Sequence, residues 1–205
     1  MKNTAPLTPR AFTLVETLVA ITILTLAVAG PLFTASRAIV AAQGARYQLI
    51  ASHLAQEGIE YVRVMRDDAY LYRYGLNPLT ASTEGWNDFT NGDSSINWSI
   101  NQCSKNSINK ACTLDPSELM CTANNNCSLK SCKADPPGNT CQPLYLTPLN
   151  TYTQRDSGNV LTPFTRTIQA GDISPTEEIA TSTVSWSFHG TDYSVSITDH
   201  LTSWQ

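Results

Sequence analysis

Residues 11–36 read AFTLVETLVAITILTLAVAGPLFTAS, and this stretch decides the fold of the chain. From Thr17 to Ser36 it contains 20 uncharged residues, most of them Leu, Ile, Val or Ala. About 20 such residues in a helix cross the hydrocarbon core of a bilayer. Lys2 and Arg10 precede the run, and positive charge on that side holds the N-terminus in the cytoplasm. The stretch therefore predicts a single membrane-spanning helix, with the rest of the chain exported.

The apolar run could belong to a cleaved secretory signal or to a plain signal anchor. A secretory signal has a shorter apolar core followed by a small-residue cleavage site, whereas this run continues directly into a helical pattern. Glu16 counts against both interpretations, because a lone carboxylate near the cytoplasmic end of the run costs ~1–3 kcal/mol to insert unless it is neutralised. We expect its partner to be a cation from a neighbouring molecule or an amine created by processing.

The sequence AFTLVE at residues 11–16, followed by the apolar run, resembles the class III signal of type IV pilins and type II secretion pseudopilins. The resemblance implies that prepilin peptidase cuts between Ala11 and Phe12, on the cytoplasmic side, and that Phe12 is then N-methylated. It also implies that Glu16 meets the terminal amine of a neighbouring subunit during assembly. The family usually has Gly before the cut; Ala11 is still small enough to approach a protease active site.

The helix is predicted to continue beyond the membrane. Gly30-Pro31 predicts a kink, because proline removes a backbone donor and clashes with the preceding turn. Apolar residues recur at spacings of three, four and seven over residues 37–66, as in an amphipathic helix. From Leu54 onward we expect this face to pack on the chain's own sheet, and before Tyr47 on other subunits. LAQEGIEYVRVMR, residues 54–66, resembles the helix of minor pilins and minor pseudopilins, chiefly the V and I/J types.

The distal half is predicted to be an α+β head that follows the helix. Turn formers indicate a loop over residues 67–95, with Trp86 and Phe89 against the helix. The clearest strands come last, as a hairpin with one apolar face turning at residues 189–192. Three shorter strands are also predicted, at Ser95–Asn101, Leu144–Thr147 and Phe164–Gln169.

Six cysteines fall within 39 residues, and they indicate a segment stapled outside the reducing cytosol. No C-x2-C pair and no histidine lies among them, so disulfides are a better interpretation than a structural metal site. Three disulfides are predicted, and the fifteen possible connectivities stay open. The stapled segment could be a partner-binding tip or only a rigid elaboration. The cysteines are Cys103, Cys112, Cys121, Cys127, Cys132 and Cys141.

Charge and motifs argue against nucleic-acid binding and catalysis. The chain has 13 Lys+Arg against 17 Asp+Glu and a formal net charge of −4, so no broad basic face is expected. His53, His189 and His200 occur singly, with no oriented partner evident and no catalytic motif around them. We predict no enzyme activity, no metal and no cofactor.

Two hypotheses from different classes remain. The first is a minor pilin or pseudopilin, a structural subunit with prepilin peptidase, other subunits and inner-membrane lipid as partners. The second is a surface binding or adhesion protein held by an uncleaved signal anchor, with the cysteine-rich segment as its recognition face. The predicted organisation is a leader at 1–11, a transmembrane and assembly helix at 12–36, a stalk helix at 37–66, and an extracytoplasmic head at 67–205 with a disulfide-rich insertion at 103–141.

Overall fold

A computed structural model of the chain confirms the predicted α+β class: an apolar N-terminal helix is followed by an antiparallel sheet. The chain divides into two compact units, residues 1–46 and residues 47–205. The structure describes residues 13–91, 99–104, 110–115, 129–133 and 140–203, without the side chains of 172 and 173.

Helix α1 spans Leu14–Leu76, ten residues beyond the predicted end at residue 66. Asn77-Pro78 follows it, and a residue before proline is disfavoured in the helical conformation, which explains the end. The loop predicted for residues 67–95 is wrong over its described part, because α2 spans Ala81–Asn91.

Contacts with the end of α1 stabilise α2. Arg73 of α1 makes a two-pronged ion pair with the buried Asp88 of α2 and a further ion pair with Glu84. Gly85 lets the two helices touch, since a Cβ at this position would lie 2.8 Å from Tyr70 Cα. Trp86 and Phe89 are buried against α1, as predicted, in a core cluster that includes Val62, Met65 and Ala69 of that helix.

In the described part of the chain, eight strands form two antiparallel sheets. The five-stranded sheet has the order β2-β1-β6-β7-β8, and the three-stranded sheet has the order β4-β3-β5. The strands are β1 (Lys110–Leu114), β2 (Leu129–Lys133), β3 (Tyr145–Leu146), β4 (Tyr152–Thr153), β5 (Val160–Leu161), β6 (Thr165–Ser174), β7 (Glu177–Phe188) and β8 (Thr191–Thr202).

The predicted C-terminal hairpin is present as β7 and β8, paired in register from Glu177↔Thr202 to Phe188↔Thr191. His189 and Gly190 make the turn, and both have positive φ, at 51° and 78°. Two central residues with positive φ give a turn whose twist matches that of the flanking strands.

The cysteine-rich segment contributes strands to the main sheet, which the sequence analysis did not predict. Cys103 pairs with Cys112 and Cys132 with Cys141, whereas Cys121 and Cys127 lie outside the described residues. The strand predicted over residues 95–101 is also wrong where the structure describes it, because residues 100–103 form a 3₁₀ helix. Residues 95–98 lie outside the described part.

The head core forms where α1 packs on the sheet. As expected from Leu54 onward, the inward face of the helix is buried against β6 and β7. Gly58 marks the closest approach, because a Cβ there would collide with Ser182 Oγ and lie 3.2 Å from Arg166 Cδ. The buried apolar residues of this face are Ala51, Leu54, Ala55, Ile59, Val62, Met65 and Ala69.

A partly buried ion pair also joins α1 to the sheet. The Arg166 side chain on β6 is fully buried, and its Nη1 lies 2.6 Å from Glu57 Oε2 on α1. The guanidinium also donates to the carbonyls of Leu54 and Leu114, at 3.2 and 3.1 Å. Glu57 accepts a further bond, at 3.2 Å, from the Tyr61 hydroxyl. This network fixes the helix against the head.

Candidate assembly site on the N-terminal helix

Glu16 lies in the first turn of α1 and is exposed. Its backbone N–H donates to Thr13 Oγ1 at 3.3 Å, so the T-x-x-E spacing caps the helix start. A carboxylate in a first turn is favoured by the helix dipole by about 0.3–1 kcal/mol. No hydrogen bond or ion pair joins the Glu16 carboxylate to any residue that the structure describes. Its position is therefore compatible with the helix, and its partner is not among the described residues.

The hydroxyl groups of the apolar run are satisfied within the helix itself. Each Thr or Ser side chain from residue 17 to 36 donates to a backbone carbonyl three or four residues earlier. Such bonding removes the cost of placing a hydroxyl in lipid or against another apolar surface. The residues are Thr17, Thr22, Thr25, Thr34 and Ser36, with donor–acceptor distances from 2.8 to 3.3 Å. The Glu16 carboxylate differs from all of these hydroxyls, because it has no hydrogen bond within the described residues.

The apolar side chains of this run are exposed throughout. Leu14 is 81% exposed and Phe33 60%, and no residue from 13 to 46 is buried. Contiguous apolar surface on this scale marks a site that lipid or another protein covers. Within the described part of the chain, α1 alone is long and apolar enough to cross a membrane. The helix and its surface are consistent with membrane anchoring.

Arg37 ends the uncharged run that starts after Glu16. Its guanidinium carbon lies 4.9 Å from the centre of the Phe33 ring, a cation–π contact within one helical turn. A basic side chain folded back on an aromatic ring suits the boundary between an apolar layer and water. The run therefore has one charged residue at each end.

The other predicted site residues fall in different places. Gly30 and Pro31 lie inside α1, which continues through them, and Pro31 leaves one backbone carbonyl without its helical donor. The kink expected there stays a prediction. Ala11 and Phe12, on either side of the expected cut, lie outside the described residues. The sequence analysis did not identify the Thr13 cap, although the T-x-x-E spacing with Glu16 was a signal for it.

Comparison with known proteins yields one match. A family model described as the prokaryotic N-terminal methylation motif matches residues 9–30. The chain carries a type IV pilin-like N-terminal signal. The match includes the Ala11–Phe12 bond, Glu16 and the apolar run as far as Gly30. No curated protein and no solved structure matches the chain.

The type IV pilin-like signal agrees with the geometry of the described helix. A methylation motif is the kind of signal that prepilin peptidase recognises, and it is typical of structural subunits that assemble with one another. The helix that carries it has internally satisfied hydroxyls, an uncovered apolar surface and one carboxylate near its start. These properties suit a helix that moves between lipid and protein neighbours.

Proposed function

We propose that the chain is a minor pilin or minor pseudopilin, a structural subunit of a type IV pilus or a type II secretion pseudopilus. In this proposal prepilin peptidase cuts between Ala11 and Phe12, and the N-terminal helix then drives assembly. The observation that carries the proposal is Glu16, a carboxylate without a described partner at the start of an apolar run whose Thr and Ser side chains all bond to the helix backbone.

Glu16 gains its partner on assembly. Cleavage would leave a free amine on Phe12, and methylation keeps that amine cationic at neutral pH. A carboxylate and an ammonium in an apolar layer attract far more strongly than in water, because the effective dielectric constant is low. Pairing Glu16 with the terminal amine of a neighbouring subunit would remove the cost of both charges. The same attraction would set the axial position of one helix against the next.

The exposed apolar surface gives the second part of the proposal. Before assembly, lipid of the inner membrane would cover residues 17–36, with the N-terminus in the cytoplasm and the head outside. After assembly, the helices of neighbouring subunits would cover the same side chains. Because each Thr and Ser hydroxyl bonds its own helix, neither environment leaves it unsatisfied.

The head favours a minor subunit over a major one. The segment LAQEGIEYVRVMR, residues 54–66, resembles the helix of minor pilins and minor pseudopilins of the V and I/J types. The cysteine-rich region builds strands and two disulfides into the sheet, an elaboration that suits a subunit used in few copies.

The experiment is a Glu16→Gln variant in the native host, followed by separation of sheared filaments from membranes. The neutral amide keeps the shape of the side chain and loses the ion pair. We expect filament incorporation to fall about tenfold or more, the factor that corresponds to about 1.4 kcal/mol of lost pairing, while the membrane pool persists. Glu60→Gln is the matched control, since Glu60 is an exposed carboxylate on the part of α1 that packs on the sheet.

Equal incorporation of the Glu16→Gln variant and the wild type would contradict the proposal. A protein that stays in the membrane with residues 1–11 attached would instead support the second hypothesis, a signal-anchored surface protein that binds through its cysteine-rich segment.

A further inference from the structure

Strand β8 forms an open edge of the main sheet. The order β2-β1-β6-β7-β8 places it last, and among the described residues no backbone group of Thr191–Thr202 bonds to a residue outside β7 and β8. Its register with β7 is unbroken over 12 residues, and it contains neither proline nor lysine. A long, regular edge is a template for another strand, which native sheets usually block with lysine, proline or a bulge.

The opposite edge of the same sheet is blocked. Strand β2 has only five residues, and Lys130 and Lys133 are two of them. Thr140 covers the end of this strand, because its N–H donates to Lys133 O at 3.0 Å and its Oγ1 accepts from Lys133 N at 2.9 Å. The fold therefore protects one edge of the sheet and leaves the other open.

The turn before β8 shows which of its backbone groups point outward. Only His189 and Gly190 connect the two strands, so Phe188 and Thr191 flank the turn as a hydrogen-bonded pair. Hydrogen-bonded pairs alternate with non-hydrogen-bonded pairs along an antiparallel ladder. Every second residue of β8, counted from Thr191, therefore bonds to β7, and the residues between them point their N–H and C=O groups away from β7.

Side-chain contacts across the hairpin agree with this alternation. Side chains approach most closely in non-hydrogen-bonded pairs. The hydroxyls of Thr183 and Ser196 lie 2.9 Å apart, and those of Thr181 and Thr198 lie 3.1 Å apart. Ser194, Ser196 and Thr198 thus present outward-pointing donors and acceptors at regular spacing, which is the pattern that an extended polypeptide backbone matches.

The side chains of β8 define the sequence that suits this edge. Val195 and Ile197 are half-buried against the core, and Tyr193, on the same face, is still 46% exposed. The other face carries the hydroxyls, and residues 193–198 contain no charge. An added strand with apolar side chains on the α1 side and uncharged polar side chains on the other would cover the apolar row and leave no charge buried.

We propose that the edge of β8 binds an extended, uncharged segment of a different polypeptide as an additional antiparallel strand. A second copy does not fit, because pairing two β8 strands antiparallel requires a twofold axis normal to the sheet. That axis would reverse the packed part of one α1 helix relative to the other, whereas two chains in one membrane have them in the same direction. This last step rests on the proposed membrane-anchored subunit; the open edge itself does not.

The test uses the full-length protein in lipid nanodiscs and the labelled peptide ATSTVSWS, which copies residues 180–187 of β7. This peptide is uncharged and alternates as the edge requires, and we expect a Kd below about 1 mM by fluorescence anisotropy. Two N-methylated forms probe the backbone. Methyl groups on the two threonines, whose N–H groups would point at β8, should abolish binding. Methyl groups on the valine and tryptophan, whose N–H groups would point away, should leave the Kd unchanged.

Ser196→Pro tests the protein side of the contact. It removes one outward N–H, and proline is tolerated on an edge strand where the N–H faces solvent. We expect the Kd for the unmodified peptide to rise at least tenfold. Ser196→Ala is the matched control: it loses the same hydroxyl contact with Thr183 and keeps the N–H, so its Kd should equal that of the wild type.

Four outcomes would overturn the proposal. They are no binding of the unmodified peptide, equal Kd values for the two N-methylated peptides, equal Kd values for Ser196→Pro and Ser196→Ala, and dimers of the protein that Ser196→Pro dissociates. The last outcome would assign the edge to a second copy. The N-methylated peptides are tested on the wild-type protein, so they decide the question even if Ser196→Pro does not fold. Because binding is measured outside a filament, failure here leaves the assembly proposal intact.

Discussion

Arg166 and Glu16 are both charges set among apolar side chains, and only one of them has its partner in the described chain. The Arg166 guanidinium is fully buried, 2.6 Å from Glu57, and it also donates to two backbone carbonyls. Buried charges need such pairing, because desolvation of a lone ion costs several kcal/mol. Glu16 has no equivalent contact within the described residues. At the residue scale, this difference separates a charge that serves the fold from one that, in our proposal, serves assembly.

Tyr61 reports on the same buried network. Burial raises the pKa of Tyr61 to about 12, and the negative charge of Glu57 adds to the rise. Because the folded value exceeds the unfolded value of 10.0, the stabilisation is fully present below pH 10 and is lost as the pH rises toward 12. NMR of protein with 13C at tyrosine Cζ should show one resonance titrating near pH 12 that is absent in Tyr61→Phe. Glu57→Gln should lower this pKa only part of the way, whereas a full return to 10 would contradict burial as the main cause.

Gly58 allows a second prediction. Gly58→Ala should lower the free energy of unfolding of the head by about 1–3 kcal/mol, because the new methyl collides with Ser182 and crowds Arg166. Urea unfolding of the full chain in detergent micelles, followed by tryptophan fluorescence, measures the loss. Gly75→Ala is the control: this glycine lies in the same helix with open space around it, so alanine should be neutral or slightly stabilising. Similar losses in both variants would contradict a close helix–sheet contact at Gly58.

Some of these residues were predictable and others were not. Glu16 interrupts the pattern of an apolar run, so the sequence alone identifies it. Arg166, Ile168 and Ala170 occupy every second position of β6, so their side chains share the buried face of the strand. This spacing could have predicted that Arg166 is buried, although the sequence analysis did not use it. The buried Gln154 side chain donates to the carbonyls of Gln142 and Arg166, each 12 residues away along the chain, and no local pattern encodes these bonds.

The helices and strands also divide into those that the sequence predicts and those that it does not. Local periodicity predicts α1 as far as residue 66 and the β7–β8 hairpin, because apolar side chains recur at regular spacing on one face of each. Helix α2 was mistaken for a loop, since residues 81–91 contain turn formers and gain their stability from Arg73 on another helix. Strands β1 and β2 were missed because they form through pairing with distant residues, and cysteine spacing does not fix that pairing.

The two described disulfides give a prediction about elements. Each closes a loop with a sequence separation of 9, so the chain-entropy contribution is the same, at about 3 kcal/mol. Cys103 and Cys112 are fully buried in the main core, whereas Cys132 and Cys141 are 7% exposed in a small separate cluster. The double variant Cys103→Ala/Cys112→Ala should therefore lower Tm more than Cys132→Ala/Cys141→Ala in thermal unfolding. Equal losses would show that loop closure alone sets the contribution.

At the scale of the whole molecule, the two units differ in how much of their apolar surface the chain itself buries. The described residues of the first unit, 13–46, bury nothing within the chain and expose an apolar surface that lipid or neighbours must cover. The second unit, 47–205, has its own core and a polar outer surface on β7 and β8, and two disulfides lie among its described residues. The first unit therefore suits anchoring and assembly, and the second suits a folded head outside the membrane.

The measurement that tests the account most directly is mass spectrometry of the N-terminus of protein purified from its native host. We predict a chain that begins at Phe12, carries a methyl group on its terminal nitrogen, and lacks residues 1–11. An intact chain beginning at Met1 in the membrane and surface fractions would contradict the account, because the Phe12 nitrogen would then be an amide and not an amine that a neighbouring Glu16 could meet.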